Sequence, residues 1–445
     1  MKRKIMDDLV AWKESANGKS AALVVGARRV GKSFIVEEFA KQNYKSYQII
    51  DFAKASDQLK DIFIHQTDDF DTFFTLLQTF YNQTFYERDT VLIFDEVQSF
   101  PRARELIKYL VADGRYDYIE TGSLMSIKKN VKDILIPSEE HEIKMYPMDF
   151  EEFLWALGEE NTVNGIKFAY DNKKSLGQAV HRKMMTLFRQ YLIVGGMPEA
   201  VQEYSVSRDF KRVDDIKRSI LNLYRNDIEK HGEKDTLRIK QIYDLVPTQL
   251  SNANKRFMFS AISDSARYRE YENALLWLSE AKIVNLCFNT TEPTVGLAAR
   301  MDVSSFKCYQ SDTGLLISQT FSAKDLAKEE IYKKILLDKL EFNNGLIMEN
   351  AVAQMLAAAG HDLYFYSETE DRMEIDFLLT KNKLTSRKNI IPIEVKSGKR
   401  YLTNSLDKYR KKYSQQINKA YVLHDGDLKE EDEVTYLPVY MAGLL

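Results

Sequence analysis

At 445 residues the chain is too long for one ordinary domain, and two to four domains are expected. Hydrophobic residues at 44% and charged residues at 29% exclude a disordered chain. A formal net charge of -3 and a pI near 6.2 neither predict nor exclude a nucleic-acid-binding surface, because a local basic face fits within a balanced total.

Two cysteines, Cys287 and Cys308, with no CxxC pair, argue against a disulfide framework or a zinc site and fit a reducing compartment. The basic Met1-Lys2-Arg3-Lys4 runs into Asp7 and Asp8 rather than an apolar segment, so a signal peptide is not expected. No stretch approaches the roughly 18 uncharged apolar residues that span a bilayer. A cytoplasmic protein with no membrane partner is the expectation.

In chain order, Ile5 to Trp12 has the spacing of an amphipathic helix, and Ala21 to Gly26 reads as a buried parallel strand. A glycine loop follows, then a helix from about Lys32 to Ala40. Tyr47 to Phe52 is the next strand candidate, and helical, aromatic-rich sequence fills Asp57 to Tyr86. Val91 to Glu96 is a strongly apolar strand ending in acids, and Tyr116 to Ser123 is a further strand running into a polar turn. Strands alternating with helices predict a doubly wound parallel sheet. From Asp149 to about Asn226 the pattern is helical. Short helices between Arg238 and Leu278, followed by the strand-like Ile283 to Phe288, suggest a winged-helix unit. From Phe306 onward come a helix at Gly345 to Ala359 and strands at Tyr364 to Tyr366, Glu374 to Leu379 and Ile391 to Val395. The expected domains are therefore 1–150, 151–305 and 306–445.

Gly26-Ala27-Arg28-Arg29-Val30-Gly31-Lys32-Ser33 is G-x-x-x-x-G-K-[ST] between an apolar strand and a helix, the context that marks a P-loop. Backbone N–H groups would curl around phosphates, helped by the helix N-terminus. Lys32 would reach the β- and γ-phosphates of ATP, and Ser33 the magnesium ion. About 60 residues on, Asp95 and Glu96 stand at the C-terminal edge of a strand, where open α/β sheets bind ligands. Asp95 suits the magnesium ion and Glu96 suits orienting the attacking water.

These two motifs, with Thr121-Gly122-Ser123 and Tyr146-Pro147-Met148-Asp149-Phe150-Glu151-Glu152-Phe153-Leu154, resemble an AAA+-type ATPase of the archaeal-ATPase-like group. Gly195-Gly196-Met197-Pro198-Glu199 is similar to that group's helical lid region, and the likeness continues through Tyr309 to Leu316. The resemblance implies an α/β fold: an AAA+-like parallel-sheet P-loop domain, a helical lid and winged-helix region, and a C-terminal restriction-endonuclease-like α/β domain. It also implies a polar sensor at Ser123, or at Thr121, and a homo-oligomer completing its site in trans. The family's Gly-Arg pair before the Tyr-Pro segment is replaced here by Ile136-Pro137-Ser138-Glu139-Glu140. Arg115, then Arg102 and Arg104, are the remaining arginine-finger candidates.

In the C-terminal region, Glu394 and Lys396 lie two apart on a strand and share a face. Asp376 lies on an antecedent strand able to pair with it, and Glu349 on the helix before. Carboxylates that hold a metal ion and a lysine that stabilises developing charge suit phosphodiester hydrolysis, with Asp376 and Glu394 as metal ligands. The order helix Glu, strand Asp, E-x-K resembles the PD-(D/E)XK nuclease fold. DNA is thus a candidate partner. The rival reading is an ATP-switched DNA- or protein-binding regulator whose nuclease-like domain does not cut.

Overall fold

The computed structural model of the chain describes residues 1–122, 139–252, 255–294, 296–321, 330–337, 339, 344–368, 373–381, 388–398 and 401–445. They fall into two compact units, Lys2–Met145 and Tyr146–Leu445 with Met1.

The first unit is a five-stranded parallel sheet of β1 (Ala21–Gly26), β2 (Ser46–Asp51), β3 (Thr90–Asp95), β4 (Asp117–Gly122) and β5 (Glu140–Met145). Its order is β2-β3-β4-β1-β5. Alternation along each strand supplies two cores. Ala22 and Val24 of β1 pack with Val91, Ile93 and Ile119 beneath α1 (Ile5–Ala16) and α2 (Lys32–Asn43). Leu23 and Val25 pack with Leu92, Phe94 and Tyr118 beneath α3 (Asp57–His65), α4 (Phe70–Tyr81) and α5 (Pro101–Asp113). Helix ends follow local chemistry: Asp69 caps α4 through the amides of Asp71 and Thr72, while α5 opens on Pro101 and closes on Gly114 at φ 78°. Because β4 lies between β1 and β3, the P-loop and the Asp95-Glu96 pair end on strands that both flank Thr121.

The second unit begins with helices. The Asp149-Phe150-Glu151-Glu152 segment is a capping box for the helix Phe150–Ala156: Glu152 donates its amide to the Asp149 carboxylate, and Asp149 donates its amide to Glu152. The Gly195-Gly196 and Asp312-Thr313-Gly314 segments bind one another. Buried Asp312 caps the helix Thr313–Thr320 through the Leu315 amide and accepts the Gly196 amide. A Cβ on Gly196 would collide with the Met148 carbonyl, so this joint requires glycine.

An eight-stranded mixed sheet completes the unit. It runs β12-β13-β11-β10-β9-β8-β6-β7, from β6 (Val284–Thr290), β7 (Met301–Gln310), β8 (Leu363–Glu368), β9 (Met373–Thr380), β10 (Ile390–Lys396), β11 (Ala420–His424), β12 (Lys429–Glu431) and β13 (Val434–Pro438). The helices Thr236–Ser251 and Tyr268–Glu280 lead into the antiparallel β6–β7 pair. That pair joins the large sheet, since β6 runs parallel to β8. The expected boundary at 305/306 falls inside β7. Among the described residues no helix is long and apolar enough to cross a membrane. Cys287 and Cys308 are free and buried on neighbouring strands.

Candidate functional site

The P-loop begins where β1 stops. Gly26 pairs with Met145 of β5, and a Cβ there would strike the Met145 carbonyl, so close backbone approach fixes this glycine. Arg29 (φ 69°) and Gly31 (φ 97°) turn the chain through the left-handed region into α2. Lys32 is buried, and its ammonium donates to the carbonyls of Gly26 (3.0 Å) and Ala27 (3.2 Å). Burial pushes its pKa down, against the pull of Glu96 and Asp95. Arg28 and Arg29 are exposed on the loop.

The Ser33 hydroxyl donates to Asp95 Oδ1 at 2.8 Å, joining the two motifs. Buried Thr121 donates its hydroxyl to the same oxygen, and its Oγ accepts the Glu96 amide at 3.4 Å. Glu96 itself has φ 51°, a conformation seldom adopted by residues other than glycine, asparagine and aspartate. The Gln98 side-chain amide donates to the Glu96 carboxylate. A hydroxyl beside a carboxylate is the donor set that hydrated magnesium takes up, so these residues fit the ion. Thr121 is the described member of the expected sensor pair; Ser123 lies outside the described residues.

The candidate arginines are engaged within this unit. Arg115 pairs with Asp113 and Asp71, and Arg102 with Glu105. Arg104 grips Glu140 in a two-pronged, buried pair at 3.0 and 2.6 Å. Glu120, fully buried beside that pair, has its carboxyl pushed well above the ordinary range by burial and by Glu140, with Arg104 pulling the other way.

In the second unit Glu349, Asp376, Glu394 and Lys396 occupy one neighbourhood. Asp376 lies one residue beyond the Phe377–Ile393 pair of β9 and β10, and its Oδ2 accepts the Val395 amide at 2.9 Å. Lys396 pairs with Glu394 at 2.8 Å. Burial and Asp376 raise the Glu394 carboxyl while Lys396 lowers it, and the outcome is upward. Two further lysines enter. Lys307 Nζ, fully buried, lies 3.1 Å from Glu349, 2.9 Å from Glu374 and 3.6 Å from Asp376. Lys255 pairs with the other Glu349 oxygen, and the Tyr309 hydroxyl donates to Glu349. Burial alone would raise the Glu349 carboxyl, but Lys255 and Lys307 hold it down at about 2. Among the described residues no group of three or more His, Cys, Asp and Glu side chains is disposed to hold a metal ion.

Residues missed in the sequence are thus Gln98, Lys255, Lys307 and Glu374. Gln98 carries a faint signal, two places after Glu96. Lys307, turned inward from β7, carries none.

Residues 18–154 match the family described as AAA domain. Residues 185–325 match DUF8612 and residues 344–441 match DUF4143, both described as domains of unknown function. No curated protein matches the chain. Among solved structures, a Walker-type ATPase of Pyrococcus abyssi is 13% identical, covering 72% of this chain and 96% of its own, at a TM-score of 0.42. RuvB of Thermotoga maritima is 11% identical over 64% of this chain and 89% of its own, at 0.31. Cdc6p of Pyrobaculum aerophilum is 11% identical over 76% and 94%, at 0.25. TM-scores this low are too loose to bear on function. Residues 18–154 thus match the AAA domain family, and within them the junction of Ser33 with Asp95 brings the P-loop and the acidic strand end together.

Proposed function

We propose that the chain binds ATP with magnesium at Gly26 to Ser33 and hydrolyses it with Glu96. The observation that carries this reading is the 2.8 Å contact between Ser33 and Asp95, which puts the phosphate loop and the acidic strand end at one point. Bound with ATP, magnesium supplies Lewis-acid withdrawal of charge from the β- and γ-phosphate oxygens. The loop amides and the α2 N-terminus take up phosphate charge, and Lys32 exchanges the Gly26 and Ala27 carbonyls for phosphate oxygens. Ser33 and Asp95 would hold the ion. Glu96 orients a water and receives its proton as the oxygen attacks the γ-phosphorus and the bond to ADP breaks. Thr121 and Gln98 fix the two acids in place. Phosphate release from ATP, dependent on magnesium and absent in Lys32→Ala, tests this reading.

For the C-terminal half, a metal-dependent DNA nuclease and a non-cutting regulator make different demands on one cluster. Lys255 and Lys307 offset most of the charge of Glu349, Glu374 and Asp376 from within, which supports the regulator. In this reading the ATP state switches contact with a DNA or protein partner. Because Arg102, Arg104 and Arg115 are held in ion pairs, a homo-oligomer that completes its site in trans would draw its arginine from another residue. Supercoiled plasmid nicked by the wild-type chain in magnesium or manganese, and left intact by Asp376→Ala, would restore the nuclease.

A further inference from the structure

We propose that Lys307 is a resident cation standing where the carboxylates of the C-terminal sheet would otherwise hold a divalent metal ion. The inference deepens the non-cutting reading, and its measurement is separate from that reading's plasmid assay.

Lys307 is central on β7, paired with Cys287 of β6, and its side chain is fully buried. Its ammonium reaches Glu349 from the helix Asn344–Ala358 and Glu374 and Asp376 from β9, and lies 5.1 Å from the centre of the Phe365 ring. Carboxylates from two elements therefore converge on the ammonium, and as disposed around it they do not themselves form a metal site. A buried ammonium without partners is too costly to persist, so the acids and the lysine require each other.

Charge balance gives the same result. Glu349, Glu374 and Asp376 against Lys255 and Lys307 leave one negative charge, too little to draw a dication into a buried place. Without Lys307 the same acids leave two, the charge that a divalent ion cancels. Distance matters as well. Oxygens set 2.9–3.6 Å from Nζ are spaced for an ammonium, whereas metal–oxygen bonds run about 2.0–2.6 Å. A divalent ion would therefore have to expel the lysine before the carboxylates could close on it.

The test is Mn2+ binding to the full-length, nucleotide-free protein, followed by electron paramagnetic resonance. Lys307→Met should bind one more Mn2+ than wild type, with a dissociation constant on the order of 0.1–1 mM, the range of weak carboxylate sites. The added site should vanish in Lys307→Met/Asp376→Asn, and Mn2+ should raise the melting temperature of Lys307→Met alone. A Lys307→Met protein that keeps the wild-type circular dichroism yet gains no Mn2+ overturns the proposal. If that variant does not fold, wild type and Asp376→Asn decide: equal Mn2+ stoichiometry upholds the resident cation, and one fewer ion in Asp376→Asn sinks it. Plasmid cleavage without Mn2+ at this cluster would end the regulator reading while leaving Lys307 in its role.

Discussion

Ser33 and Asp95, 62 positions apart, share a hydrogen bond of 2.8 Å at the C-terminal edge of the parallel sheet. It depends on β1 and β3 running parallel on either side of β4, so that both carry their motifs to the same edge of the sheet. Nucleotide chemistry at that edge is open to direct test.

Lys32→Ala removes the ammonium aimed at the phosphates while leaving the loop backbone. ATP affinity should fall by roughly tenfold or more, about 1.4 kcal/mol or greater. Titration with a fluorescent ATP analogue measures it, and wild-type affinity in the variant would refute the P-loop assignment.

Glu96→Gln keeps the shape and the contact with Gln98 but cannot accept a proton. ATP should bind and persist while turnover drops by roughly 100-fold or more. Steady phosphate release near the wild-type rate would move the base to another residue.

Thr121→Val retains the branched shape and deletes the hydroxyl that serves Asp95 and the Glu96 amide. Leaving those groups without this partner should cost about 1–3 kcal/mol of stability. Turnover should fall by roughly tenfold or more through lost positioning, and Thr121→Ser should restore it. A merely structural threonine would show the stability loss without the kinetic one.

Glu120 gives a pH prediction. Its folded-state pKa is raised by burial and by Glu140, so the native chain holds a proton that the unfolded chain releases above about 4.5. Stability from this group is therefore full below that pH and declines as pH rises toward the folded value, by at most about 1.4 kcal/mol per pH unit for one proton. Glu120→Gln should melt higher than wild type at neutral pH and show a flatter pH dependence. Parallel melting curves between pH 5 and 8 would contradict this.

Much of the first unit was legible because its physics is local. Uniformly apolar runs mark β1 and β3, and glycines with Lys32 mark the loop between β1 and α2. β5 was not legible: Glu140, His141 and Glu142 begin an edge strand whose inward residues are only Ile143 and Met145. In the second unit, the strands that carry Asp376, Glu394 and Lys396 were legible from their apolar runs. Their neighbours Lys255 and Lys307 were not, since a lysine in sequence reads as surface. Only tertiary pairing with Glu349 shows them turned inward. The 305/306 boundary shared this blindness, because mixed polarity in Met301 to Gln310 hides a ten-residue strand.

The position of β7 in the sheet limits how this chain can be divided. The segments matching the two domains of unknown function, 185–325 and 344–441, supply the lysines and the acids of one cluster respectively. A fragment starting at 306 would break β7, discard β6 and Lys255, and bare the edge of β8. Grafting only the later segment into another protein would bury Glu349 with no ammonium to meet it. The two matched segments therefore share one ion-pair cluster and one sheet, and neither keeps its buried charges paired without the other.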